Sequence, residues 1–65
     1  MQIFVNGDRH DIEADTLAAA LAALGYGERK IATAVNGRFV PQAARPATRL
    51  ATGDQIEVVA PMQGG

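Results

Sequence analysis

The sequence predicts a two-layer α+β domain in which one helix lies across one face of a β-sheet. Three observations carry this. Two short β-prone runs end in Asn-Gly, at Asn6-Gly7 and Asn36-Gly37, the pair favoured by a two-residue type I′ hairpin. Leu17, Leu21 and Leu24 recur at helical spacing within an alanine-rich segment. Near the end, Gln55 to Ala60 alternates so that Ile56 and Val58 share a face.

Taken in order, Met1 to Val5 forms the first strand, with Ile3 and Val5 on one face and Gln2 and Phe4 on the other. Asp8 to Glu13 is the return strand, and Ile12 is its one strong apolar residue, expected to face the core. Asp15-Thr16 is an N-cap signal for the helix that follows. Alanine and leucine are strong helix formers, and Gly25 stands where a C′ glycine closes a helix, with Tyr26 able to fold back on the last turn. Ile31 to Val35 is a third strand, and Arg38-Phe39-Val40 is its return, stopped by Pro41. Gln42 to Thr52 contains Pro46 and reads as an irregular loop with room for one tight helical turn, anchored by Leu50. Gly53-Asp54 turns the chain into the last strand, which Pro61 ends. The chain therefore divides into a domain over residues 1–60 and a flexible tail over residues 61–65. Periodicity does not fix the strand order.

At 65 residues the chain is one small domain, since domains average roughly 100–200 residues. Such a chain buries only about 60% of its unfolded surface and has little bulk for an enclosed catalytic cleft. Six basic and seven acidic residues give a net charge of −1, which speaks against nucleic-acid binding. Cysteine, serine and tryptophan are absent, so serine or cysteine nucleophiles, disulfides and thiolate metal sites are excluded. No apolar run approaches the roughly 20 residues that span a bilayer, and no signal peptide is evident. A cytoplasmic, non-membrane protein is expected.

Side-chain chemistry is sparse. The single histidine, His10, has no partner ligand in sequence, and Asp8, Asp11, Glu13 and Asp15 read as a solvated face, so no metal site is expected. Neither Gly25-Tyr26-Gly27 nor Asn36-Gly37 has the strand-to-helix pattern of a phosphate loop. The chain reads as no enzyme. The last two residues are different. Gly64-Gly65 at a chain end would occur by chance in about 0.5% of proteins at an average glycine usage of ~7%. A frayed end is the plain reading. The chemical reading is that glycines, having no Cβ, thread a channel too narrow for other residues. The reactive group is then the α-carboxylate of Gly65. A carboxylate is a poor electrophile and needs activation, most simply as an acyl-adenylate made from ATP on a partner. Sulfur or an amine can then attack the activated carbonyl.

The ordered set of motifs is similar to the ubiquitin-like sulfur carriers of the ThiS/MoaD family, above all its thiamin branch. The matching residues are Met1-Gln2-Ile3 before Asn6-Gly7, the helix with Leu17, Leu21 and Leu24, and Ala34-Val35-Asn36-Gly37 with Val40-Pro41. Gly53-Asp54-Gln55-Ile56-Glu57-Val58 and Gln63-Gly64-Gly65 complete the set. Gln42 departs from it, since the family often has arginine there. The resemblance implies a β-grasp fold, a mixed sheet of four to five strands packed on one helix. It implies a sulfur carrier for thiazole synthesis that binds no cofactor itself. A ThiF-like adenylyltransferase would use ATP to adenylate Gly65, a cysteine desulfurase would be the sulfur source, and the thiocarboxylate would deliver sulfur to a ThiG-like thiazole synthase. Gly65 is then the covalent carrier, while Gly64, Gln63 and Met62 enter the partner's channel.

Alternation puts Phe4, Ala34 and Val59 on the sheet face away from the helix, the expected docking face. The plain reading of Phe4 is a singly exposed aromatic. Two further readings stand beside the thiamin carrier: the small subunit of molybdopterin synthase, and a β-grasp interaction domain whose tail does no chemistry. Alone, the chain is expected to be a monomer.

Overall fold

A computed structural model describes residues 1–27 and 29–60. Five strands and one α-helix form: β1 (Gln2–Val5), β2 (Asp8–Asp11), α1 (Leu17–Ala23), β3 (Ala32–Val35), β4 (Arg38–Val40) and β5 (Gln55–Val59), with a 3-10 helix at Gln42–Ala47. The strand order is β2-β1-β5-β3-β4. β5 lies parallel to β1 and antiparallel to β3, so the last strand of the chain becomes the centre of a mixed sheet. This is the β-grasp arrangement.

Local chemistry explains the elements. Asn6 and Asn36 both adopt φ 51°, followed by Gly7 at φ 87° and Gly37 at φ 82°. Two successive left-handed residues are what a type I′ turn requires, which is why each hairpin closes in two residues. Thr16 caps α1, its Oγ1 accepting from the Ala19 amide at 3.2 Å. The Leu17 amide donates to the Thr48 carbonyl at 2.8 Å, so a donor orphaned by the helix start is also met from outside it. At the other end, Gly25 at φ 89° lets its amide reach the Ala22 carbonyl, and the Tyr26 amide reaches that of Leu21. This paired closure is the Schellman motif.

The leucine stripe packs on the sheet. Ile3, Val5, Leu17, Ala20, Leu21, Val40, Leu50, Ile56 and Val58 form the core, with Ile12, Leu24 and Tyr26 partly buried against it. Leu50 is the anchor expected of its loop.

Two stretches differ from the sequence reading. β2 stops at Asp11 because Glu13 to Asp15 leave the sheet to reach the helix cap. The stretch after Pro41 holds a six-residue 3-10 helix with Pro46 inside it, where an irregular loop with one turn is expected from sequence. Its bonds run i to i+3, from Ala44 to Pro41 and from Thr48 to Arg45. That helix brings in Arg45, a buried residue that composition and alternation give no reason to place inside. The Arg45 Nε donates to Thr33 Oγ1 at 3.2 Å and an Nη donates to the Ile31 carbonyl at 2.7 Å. Thr33 in turn donates to the Val40 carbonyl at 2.9 Å.

Candidate functional site

The site is best built from the strand that feeds the tail. β5 is held on both flanks to its end. On one side Val59 pairs with Ala32 and Val58 with Thr33. On the other side β1 turns away at Asn6, and its side chain takes over the pairing. Asn6 Nδ2 donates to the Val58 carbonyl at 3.1 Å, and the Val58 amide donates to Asn6 Oδ1 at 2.9 Å. A side-chain amide thus extends the parallel ladder by one step toward the C-terminus. Asn36 does the equivalent at the start of β5, accepting from the Gln55 amide at 2.9 Å and donating to Asp54 Oδ1 at 3.0 Å. The root of the tail is therefore anchored to the middle of the sheet. Gly65, Gly64, Gln63 and Met62 lie outside the described residues.

Phe4, Ala34 and Val59 all lie on the face opposite α1, because their neighbours Ile3, Val5, Thr33 and Val58 are the buried ones. Register separates them along that face. Ala34 stands opposite Glu57 and Ala32 opposite Val59, whereas Phe4 stands opposite Gln55 at the far end of β5. Four strand steps at about 3.3 Å put Phe4 and Val59 some 13 Å apart along the sheet. Phe39, which pairs with Ala34, stands level with Glu57, midway along β5 and on the far side of β3 from it. Among the described residues Phe39 at 70% exposure and Val59 at 62% are the large exposed apolar side chains, and the alanines of β3 lie between them. The result is a shallow trough beside the tail root, apolar at Phe39, Ala32, Ala34 and Val59 and bordered by the outward Glu57 opposite Ala34. A cavity of about 400 Å³ lined by Lys30, Ile31, Ala32, Gln42 and Val59 continues it.

From the sequence, Phe39 is only a residue of a return strand, Lys30 only half of a basic pair too small to hold a polyanion, and Asn6 only a turn residue. Phe39 had a signal: with Val40 buried, alternation obliges Phe39 to point outward. Asn6 had only a turn signal, since its bonds to Val58 span 52 positions in sequence. Among the described residues no group of three or more His, Asp or Glu side chains is placed to hold a metal ion. His10 sits on the edge strand opposite Ile3. No helix among them is long and apolar enough to cross a membrane.

Comparison with known proteins bears on this geometry. The profile of the ThiS family matches residues 3–65. The chain belongs to the ThiS family. Among solved structures, the fold matches the crystal structure of the thiamine biosynthesis protein ThiS from Geobacter metallireducens, 29% identical over the whole of both chains with a TM-score of 0.78. A solution NMR structure of a thiamine biosynthesis protein from the same organism is 26% identical, with a TM-score of 0.77 over all of this chain and 88% of that one. A thiazole synthase of Paramagnetospirillum magneticum is 33% identical over 66 positions, covering all of this ThiS-family chain and 20% of that protein. The chain thus spans about a fifth of the length of that relative. The five-stranded sheet with β5 at its centre is the ThiS fold, as the likeness along the whole chain shows.

Proposed function

We propose that this chain is a sulfur carrier in thiamin biosynthesis, a protein co-substrate rather than an enzyme, working at the thiazole-forming step. The observation that carries the reading is the family match running through residue 65, so that it includes Gly64-Gly65. The likeness to ThiS and to part of a thiazole synthase supports the thiamin branch over the molybdopterin one.

In this reading the Gly65 carboxylate attacks the α-phosphorus of ATP on a ThiF-like adenylyltransferase, and pyrophosphate leaves. A persulfide, charged from cysteine by a desulfurase, attacks the acyl-adenylate carbon and expels AMP. A second thiol of the partner machinery then cleaves the acyl disulfide, forming a disulfide with the persulfide's own sulfur as the acyl sulfur leaves. The resulting thiocarboxylate delivers its sulfur to a ThiG-like thiazole synthase. This chain supplies no cofactor; ATP belongs to the partner, and the chemistry is cytoplasmic. Gly64 gives clearance, and Gln63 and Met62 occupy the partner's channel. The docking face is the sheet face bearing Phe4, Ala34 and Val59, with Phe39 joined to it. An anchored root favours this chemistry, because it fixes the point from which the chain must reach a channel.

The test is the intact mass of the chain after incubation with ATP, the adenylyltransferase and a sulfur source, beside a variant lacking Gly65. A gain matching one oxygen replaced by sulfur, absent from the truncated chain, is expected. No gain, with the partner shown active on another carrier, would leave the interaction-domain reading in its place.

A further inference from the structure

Arg45 is 8% exposed, and among the described residues no carboxylate lies within ion-pair distance of it. A buried cation is costly unless its charge and its donors are answered. A guanidinium carries five N–H donors, and the contacts to Thr33 Oγ1 and the Ile31 carbonyl use two. Both acceptors are neutral. Arg45 also lines a cavity of about 210 Å³ between α1 and the 3-10 helix, with Ala18, Leu21, Gly27, Gln42 and Pro46, and among the described residues none of its side-chain nitrogens is both fully buried and without a partner.

The cavity is built rather than incidental. Thr33 and Ile31 fix the guanidinium plane, and the Thr33 hydroxyl is itself held by its bond to Val40. Gln42 and Arg45 stand three residues apart on a 3-10 helix, where positions i and i+3 are stacked, so an amide and a guanidinium face the same opening. The opposite wall is apolar, made by Ala18, Leu21 and Pro46. Its volume is several times the roughly 30 Å³ that a water occupies in the liquid. A fixed cation beside an apolar wall matches a carboxylate on a short apolar stem.

We propose that this cavity is a binding site for a small carboxylate, free or carried on an acidic side chain of a partner, recognised by the Arg45 guanidinium. The site is independent of the tail chemistry and stands or falls without it.

The test is an NMR titration of the whole chain with butyrate at constant ionic strength, with chloride and inorganic phosphate as comparison anions. The Arg45 Nε–H resonance and the amides of Ala18, Leu21 and Gly27 are followed. A saturable shift confined to these groups with butyrate, and absent with chloride and phosphate, is expected. An equal response to phosphate, or none to butyrate, overturns the proposal. Arg45→Met should weaken binding about tenfold or more, as loss of a charged hydrogen-bond donor does. Ala18→Met narrows the slot without touching the Arg45 contacts and should abolish the shift, which decides the matter if the arginine variant fails to fold. Glu28, next in sequence after Gly27, lies outside the described residues, and Glu28→Gln should bind butyrate as the parent chain does. Binding gained only in Glu28→Gln would overturn the proposal, because the chain would then be supplying its own carboxylate. A saturable butyrate response with unchanged affinity of Ala18→Met for the adenylyltransferase of the proposed function assigns the ligand as a small molecule; a weakened affinity assigns it as an acidic side chain of that enzyme, and only this last assignment draws on the proposed function. Either assignment supports the site.

Discussion

Asn6 serves both as a left-handed turn residue and as a substitute for backbone pairing, and substitution separates the two. Asn6→Gly keeps the turn, since glycine adopts φ 51° without strain, but it removes both bonds to Val58. The expected loss is about 1–2 kcal/mol, two hydrogen bonds of roughly 1 kcal/mol less what the relieved backbone returns. Asn6→Asp should cost more, because a carboxylate oxygen would replace the Nδ2 donor facing the Val58 carbonyl, leaving two acceptors opposed. Asn36→Gly should cost less than Asn6→Gly, about 0.5–1 kcal/mol, because its side-chain bonds lie in an exposed setting. Urea midpoints with an unchanged slope measure all three. An Asn6→Gly midpoint equal to that of the parent would show that Val58 does not need the side-chain clamp.

Among the elements, those whose cause is local were legible in the sequence. Both hairpins follow from Asn-Gly, and the closure of α1 follows from Gly25. What could not be read was set by distant contacts. The central place of β5 depends on Ile56 pairing with Val5 on one flank and Val35 on the other, partners that lie far from it in sequence, at the start and the middle of the chain. The 3-10 helix hid behind Pro46, which reads as a breaker, and its one buried side chain is an arginine. Gly25 gives a clean test of the local part. Nothing lies within 4 Å of the Cβ that alanine would add, so the cost of Gly25→Ala is conformational alone. At φ 89° it should be about 1–2 kcal/mol, while Gly25→Asn should cost less. Leu21→Ala, in the buried stripe, should cost about 2–5 kcal/mol, enough to unfold much of a small domain. Thermal unfolding by circular dichroism separates the two, since the first lowers the midpoint and the second removes the transition.

At the scale of the whole molecule, the sheet presents two faces with different tasks. One is covered by α1. The other is covered by no helix among the described residues, and β5, the strand before residues 61–65, lies at its centre. The reading of Gly65 as carrier rests on the sequence, since residues 61–65 lie outside the described residues. The composition of the open face was legible only in part: alternation put Phe4 and Val59 on it, but register alone set them at opposite ends and brought Phe39 in. That geometry makes docking testable apart from folding. Phe39 and Val59 are 70% and 62% exposed, so Phe39→Asp and Val59→Asp should change stability by no more than about 0.5 kcal/mol. If the partner seats on the trough they flank, each should lower kcat/KM for Gly65 adenylation by about tenfold or more, the loss of a central apolar anchor. Phe4→Ala, at the other end of β5, should lower it less. Pyrophosphate release at limiting carrier concentration reads the difference, and saturating carrier should restore the rate, because these side chains act in docking and not on the carboxylate. A rate unchanged in both aspartate variants would move the docking surface off this face, whereas a rate that saturation cannot restore would place Phe39 or Val59 in the positioning of the tail itself.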